Sequence, residues 1–254
     1  MLLDVRREKI KTLLLEKKSI TVDELSDRFR ISEQTIRRDL QWLEEDGFLK
    51  RTYGGAVLRE KVISTTHNSV LQQLFTESKR RMAKKAAETI EQNDCVFIDN
   101  STTAQYICPE IVDKRITVLS NSINVLSYLS EYKSISLIAI GGNFLYEKRC
   151  FVGKTALESL SRYYVDKAFI SCNSLSMEKG LSDGSEDTAD IRRRVINNAK
   201  MVTLMADATK LDRVSFVYIG GFDKVNHLVV DHQLSQEWRQ FCQQHNIDFS
   251  ECIE

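Results

Sequence analysis

Apolar residues recur at helical spacing through the amino-terminal part of the chain. In residues 32–45, SEQTIRRDLQWLEE, Ile36, Leu40 and Leu43 fall at i, i+4 and i+7 and form one apolar stripe. At about 100° per residue, Gln34, Arg38 and Gln41 lie on the opposite side, flanked by Thr35 and Arg37. Ser32 is the expected N-cap, since its hydroxyl can take one of the first unpaired N–H groups. Upstream, Ile10, Leu13 and Leu14 predict a helix over 6–16, which Ser19, Ile20 and Thr21 break. Thr21 and Glu24 form a capping box for a short second helix with Val22, Leu25 and Phe29 on its apolar side. Arg30 and Ile31 turn the chain into the third helix, which is expected to stop at Gly47, after Asp46. The run FLKRTYGGAVL, 48–58, then places two β-prone stretches around a basic turn and reads as a hairpin. Gly54 and Gly55 there permit positive φ and close backbone approach.

Beyond the hairpin the pattern changes. Residues 59–70 lack periodicity and read as linker. A helical pattern starts at Ser78 and runs through Met82, Ala83, Ala86, Ala87 and Ile90. Short apolar runs then alternate with helices: strand 95–98 with helix 102–111, strand 116–120 with helix 122–131, and strand 136–140 with a Gly-Gly turn. Strand 167–171 precedes helix 187–199, strand 201–206 follows, further strands come at SFVYI and HLVV, and a helix at 234–245 closes the chain. This alternation predicts an α/β domain with a mostly parallel sheet covered on both faces. The expected organisation is a winged helix-turn-helix over 1–58, a linker over 59–74, and an effector-binding and oligomerisation domain over 75–254.

Composition narrows the function classes. The 254 residues are 42% hydrophobic and 28% charged, as in an ordinary globular chain of one or two domains. Net charge is zero, and residues 1–61 carry 14 Lys/Arg against 12 Asp/Glu. Any attraction to nucleic acid must therefore come from where the charges stand. The amino end has no apolar signal region, and runs such as 137–140 are too short to cross a bilayer, so a cytoplasmic protein with no membrane partner is expected. The six cysteines show no framework spacing and read as reduced thiols. Cys242 and His245 form a lone C-x-x-H with too few ligands for zinc, so no metal or cofactor is expected.

Candidate chemistry falls in two places. Gln and Arg make paired hydrogen bonds to base edges in a major groove, so Gln34, Thr35, Arg37 and Arg38 are candidate readers of double-stranded DNA, with Ser32 at the helix start. Lys50 and Arg51 on the hairpin would sit beside phosphates, and Tyr53 there is a further candidate DNA contact. Which arginine reads a base and which holds a phosphate stays open, and a plain solvated helix face is the alternative. In the second half, ligands of a parallel sheet bind outside the carboxyl ends of its strands. Asp99, Asn100, Ser101, Thr102 and Thr103 follow one strand and offer hydroxyls and free helix N–H groups to a phosphate. Asn121 and Ser122 follow the next strand, and Gly141 and Gly142 the third. Lys210, in ADATKLDR, is the candidate countercharge. Each turn alone is an ordinary helix cap, whereas three at consecutive strand ends suggest a shared anion site.

The motifs carry a resemblance. Arg6-x3-Ile10-x3-Leu14, followed by Ser32-x2-Thr35-Ile36-Arg37-Arg38-Asp39-Leu40 and GFLKRTYGGAV, resembles the DNA-binding domain of DeoR-family bacterial transcription regulators. FIDNSTTAQYI resembles that family's F-x-D-S-G-T-T loop, and VLSNSINVLSYL, GGNF with FVGKTALESL, DKAFI and DATKLDR also resemble its effector domain, which is related to ribose-5-phosphate isomerase and the coenzyme A transferases. The resemblance implies operator DNA held in the major groove, usually for repression, and a phosphorylated sugar or related metabolite as effector. Two half-sites to reach imply a homodimer or homotetramer. The sequence departs from the pattern twice. Asn100-Ser101 stands where the family has Ser-Gly. SCNSLS, 171–176, replaces G-A-D-G-x-D and leaves Asn173 and Ser176 where related members carry carboxylates. An isomerase needs a base near its substrate carbon, so no catalysis is expected. The competing readings are a sugar-phosphate isomerase-like enzyme with an accessory nucleic-acid-binding domain, and a winged helix that binds RNA or protein.

Overall fold

The apolar stripes of the amino-terminal helices close on one another. The computed structural model describes residues 3–17, 19–45, 48–58 and 76–253. The chain divides into two units, Met1–Phe75 and Thr76–Glu254. The first contains α1 (Leu3–Lys17), β1 (Ser19–Thr21), α2 (Val22–Phe29), α3 (Glu33–Glu45), β2 (Leu49–Thr52) and β3 (Gly55–Leu58). Ile10, Leu14, Leu25, Ile36, Leu40, Leu43 and Leu49 are fully buried in one cluster. Thr21 caps α2, accepting from the Glu24 backbone N–H at 3.1 Å. The Glu24 carboxylate pairs with Lys17 instead of closing the expected box. Arg30 turns the chain into α3 in the left-handed region, at φ 54°.

The expected break at Ser19, Ile20 and Thr21 is itself a strand. It pairs antiparallel with β3, giving the sheet order β1-β3-β2. This explains the wing glycines. Positive φ among the described glycines is confined to Gly142, Gly153 and Gly180, so neither Gly54 nor Gly55 uses it. A Cβ on Gly55 would stand 2.1 Å from the Ile20 carbonyl oxygen, while one on Gly54 would meet nothing within 4 Å. Close approach of β1, and not turn geometry, demands the glycine. The expected helix stop at Asp46 and Gly47, and the expected linker over 59–74, lie outside the described residues.

The second unit runs α4 (Thr76–Ala87), β4 (Cys95–Ile98), β5 (Ile116–Ser120), α5 (Ile123–Leu129), β6 (Ile135–Ala139), β7 (Asn143–Leu145), β8 (Cys150–Val152), α6 (Lys154–Leu160) and β9 (Val165–Ile170). It continues with β10 (Ser174–Ser176), β11 (Gly180–Asp183), α7 (Glu186–Asn198), β12 (Ala199–Ala206), β13 (Val217–Gly220), β14 (His227–Val230), α8 (Gln236–Gln244) and β15 (Asp248–Glu251). Seven strands form one parallel sheet in the order β15-β14-β12-β9-β4-β5-β6. Both faces are covered. On β4, Phe97 belongs to one core, and Val96 and Ile98 to the other.

Several elements differ from the sequence expectation. Residues 102–111 hold a 3₁₀ helix, Ala104–Glu110, with Pro109 inside it, in place of the expected full α-helix. The hairpins β7–β8 and β10–β11 and the last strand β15 have no counterpart in the apolar pattern. Strand β13 leaves the main sheet to pair with β11, in the antiparallel order β10-β11-β13. Segments such as SLS, GLSD and DFSE are short and polar, so they present no apolar run to read.

The glycine geometry predicts that Gly55→Ala lowers the melting temperature and weakens wing-dependent DNA binding, while Gly54→Ala does neither. Thermal melts and DNA titrations of the two variants check this; equal behaviour would show that the β1–β3 approach does not matter.

Candidate DNA-reading face and anion site

Helix α3 buries Ile36, Asp39, Leu40 and Leu43 and exposes Gln34, Arg37, Arg38 and Gln41. Asp39 lies on the inward face three residues after Ile36, a place where periodicity points only to apolar residues. Its carboxylate accepts from Arg6 Nε at 2.6 Å and Arg7 Nε at 3.1 Å. The Arg7 guanidinium in turn lies 4.2 Å from the centroid of the Trp42 ring. These contacts tie the third helix to α1 from behind.

The outward face separates the candidate readers. Ser32 accepts from the Thr35 N–H at 3.4 Å, and the two hydroxyls lie 3.0 Å apart. Arg37 pairs with Glu33 at 3.1 Å, and Arg51 with Glu44 at 2.9 Å. The side chains of Gln34, Arg38, Lys50 and Tyr53 are exposed and have no hydrogen-bond or ionic partner among the described residues. Arg38 is thus the uncommitted guanidinium at the centre of this face. Tyr53 stands at the tip of the wing hairpin, fully exposed.

In the second unit all the candidate turns follow parallel strands that lie side by side. In sheet order they are Lys210 after β12, Ser171 and Asn173 after β9, 99–103 after β4, Asn121 and Ser122 after β5, and Gly141 and Gly142 after β6. Chain order reverses between β4 and β9, and a reversal of this kind opens a crevice at the strand ends.

The loop after β4 is held by ions and caps. Asp99 is fully buried, and its Oδ1 accepts from Ser101 N at 2.8 Å. Its Oδ2 accepts from Ser171 N at 3.1 Å and from Arg192 Nε at 3.0 Å. Arg192, on α7, also binds the Asp183 carboxylate. Burial opposes the charge on Arg192, and Asp183 and Asp99 outweigh that opposition, so its pKa is raised. Asp99 therefore pairs with a buried guanidinium. Ser101 Oγ accepts from Ala104 N at 3.0 Å and opens the 3₁₀ helix. Asn100, Thr102 and Thr103 are buried around it.

On the next strand, Ser122 accepts from Val125 N at 3.5 Å as the cap of α5. Asn121 Nδ2 donates to the Phe151 carbonyl at 2.9 Å. Gly142 sits at φ 155°, where a Cβ would come within 2.6 Å of Val152 O, so it serves the contact with β8. Asn173 is half-buried, with its backbone N–H bonded to Ser182 O at 3.1 Å. Among the described residues three buried side-chain polar atoms lack a partner, and two of them, Thr103 Oγ1 and Asn121 Oδ1, stand on adjacent loops here.

Lys210 Nζ donates to Ser171 Oγ at 2.7 Å and has no carboxylate partner among the described residues. Two lysines that sequence reasoning missed share its neighbourhood. Burial pushes the Lys148 ammonium down, with Asp183 pulling it back and Arg192 and Lys210 adding to the fall. Lys79, on α4, is only 2% exposed, and burial pushes it down to about 7 against the pull of Asp207. Neither lies in a motif; only the packing of α4 and of the β7–β8 hairpin brings them here. No cluster of metal-ligating side chains occurs among the described residues. Cys242 is core, and His245 stacks on Phe241 at 4.0 Å. No helix among the described residues is long and apolar enough to cross a membrane.

Two outcomes are expected. Asp39→Ala leaves Arg6 buried without its partner and should cost about 3–5 kcal/mol in the first unit, read by urea unfolding; a loss within about 0.5 kcal/mol would show the pair to be idle. Lys79 binds fewer protons folded than unfolded between about pH 7 and its ordinary value of 10.5. Its burial cost is therefore full below pH 7 and fades as pH rises. Lys79→Met should raise the melting temperature most at pH 6–7, with the gain vanishing toward pH 10.5; a gain that grows with pH would contradict the assignment.

Residues 6–62 match the model of the DeoR-like helix-turn-helix domain, and residues 74–232 that of the DeoR C terminal sensor domain. The chain is 31% identical over 245 residues to the HTH-type transcriptional regulator IolR of Bacillus subtilis, covering 96% of this chain and 97% of that protein. It is 34% identical to the lactose phosphotransferase system repressor of Lactococcus lactis, covering 94% and 95%. It is 32% identical to the HTH-type transcriptional repressor GlcR of Bacillus subtilis, covering 85% and 84%. Among solved structures, ribose 5-phosphate isomerase A from Neisseria gonorrhoeae covers 55% of this chain and 54% of its own at 18% identity and TM-score 0.39, a likeness too slight to bear on activity.

Proposed function

Because this chain belongs to the DeoR family and is a DNA-binding transcriptional regulator, we propose that it represses a carbohydrate-utilisation operon and that a phosphorylated sugar or related metabolite sets its operator affinity. The observation that carries this reading is Lys210. A half-buried ammonium without a carboxylate partner among the described residues stands at the sheet's switch point, beside loops bearing buried, unpartnered polar atoms. An anion is what such an environment lacks. Lys210 and Lys148 would hold the phosphate, the N–H groups of Asn100, Thr102 and Thr103 would cradle it, and Asp99 would position that loop through Ser101 N and Arg192.

In the DNA-binding unit, Arg38 and Gln34 would read base edges, and Lys50, Arg51 and Tyr53 would lie along the backbone. Arg37, paired with Glu33, would exchange that partner for a phosphate. Two half-sites require two wings, so the working form is a homodimer or homotetramer. The ligand acts by favouring one arrangement of the wings over another; a ligand that bound both equally would change nothing.

The isomerase reading has little to stand on. Asp99 and Asp183 are both committed to Arg192, and Asn173 and Ser176 cannot take a proton from carbon. Cys150 and Cys172, nearby, are pushed up to about 12 by burial and offer no thiolate.

The expected outcomes are specific. In a mobility-shift titration against the chain's own upstream DNA, Arg38→Ala should lose about 1–3 kcal/mol of binding, with folding stability unchanged. Unchanged affinity would remove Arg38 from the base-reading set. Phosphorylated sugars should raise the wild-type melting temperature, because a ligand of the native state stabilises it. Lys210→Met should abolish that rise while DNA binding persists; a rise that survives would place the anion elsewhere.

A further inference from the structure

The sugar-phosphate reading leaves open what the β5 end of the site recognises. Asn121 is fully buried there. Its backbone carbonyl accepts from Phe151 N at 2.8 Å, and its Nδ2 donates to Phe151 O at 2.9 Å. Both bonds go to one residue of β8, so the amide is locked. Turned over, it would set its oxygen against the Phe151 carbonyl. The atom left over is Oδ1, which is buried and meets no donor among the described residues.

An amide oxygen only accepts. A phosphate dianion has no proton to give it, so this atom is not a phosphate contact. Lys210, by contrast, only donates, and it reaches the end of β9 through Ser171. Strands β9 and β5 flank β4. At about 4.8 Å between neighbours their ends stand about 10 Å apart, a span that one phosphorylated sugar covers lengthwise.

Resting on the sugar-phosphate reading, we propose that Asn121 Oδ1 accepts a hydrogen bond from one hydroxyl of the effector, so that the ligand lies with its phosphate toward β9 and β12 and a hydroxyl donor against β5. Asn121 is then a specificity-determining residue. It rejects phosphate monoesters that lack a hydroxyl at that place, because they leave the buried acceptor unpaired.

The test is calorimetric titration of the full chain at pH 8, where phosphate monoesters are dianions. The probes are inorganic phosphate and a panel of pentose and hexose monophosphates. The tightest sugar is then compared with its deoxy and deoxyfluoro analogues, one hydroxyl at a time. Fluorine fills the hydroxyl's place but cannot donate. At one position both replacements should weaken binding at least about tenfold, and in Asn121→Leu that penalty should fall below about twofold. Asn121→Asp, which keeps an acceptor, should retain the penalty. Should the leucine variant fail to fold, the wild-type analogue series decides alone. Deoxyfluoro analogues that all bind as tightly as the parent overturn the proposal, as does a penalty undiminished in Asn121→Leu. Failure of inorganic phosphate and of every sugar phosphate to bind overturns the sugar-phosphate reading, and the proposal with it.

Discussion

The bond from Arg192 to Asp99 and Asp183 organises the effector unit. The two partners Asp99 and Arg192 are 93 residues apart in the chain. All three groups are buried, and a buried charge left without its partner is costly. Helix α7, strand β11 and the loop after β4 must therefore meet in one arrangement. That arrangement fixes the loop 99–103 at the switch point between β4 and β9. It also occupies both carboxylates. The interaction that shapes the proposed anion site thus engages the carboxylates that would act as bases in it, which fits a binding role.

The DNA-binding unit uses the same logic on a smaller scale. Asp39 sits inside α3 and draws Arg6 and Arg7 to the back of the helix. Those arginines are committed inward, while on the outer face of α3 the Arg38 guanidinium has no side-chain partner among the described residues. A near-neutral segment gains its reading face by sorting charges between back and front. The wing depends on a backbone contact, Gly55 against Ile20, that holds β1 and the hairpin together.

Much of this is legible in the sequence. Periodicity locates the helices of the first unit and most strands of the parallel sheet, because each buries a long apolar stripe or run. Loop chemistry marks 99–103, Asn121 and Lys210 as candidates, and the topology sets each of them after a strand of the parallel sheet. Short polar strands are not legible. Neither are the roles of Asp39, Lys79, Lys148 and Arg192, whose partners lie far away in sequence. The pairing of Asp99 is not legible for the same reason, since only the folded chain brings Arg192 near. Glycine chemistry points to Gly55 without saying whether φ or proximity matters; the pairing of β1 decides for proximity.

Reciprocal coupling is the claim on which the regulatory account stands. The direct measurement is the affinity of labelled upstream DNA for the protein by fluorescence anisotropy, at fixed salt, with and without the sugar phosphate that gives the largest thermal shift, together with that ligand's affinity with and without the DNA. The account predicts that each weakens the other by the same factor. Affinities that stay identical in the presence of every phosphorylated sugar that binds would contradict it.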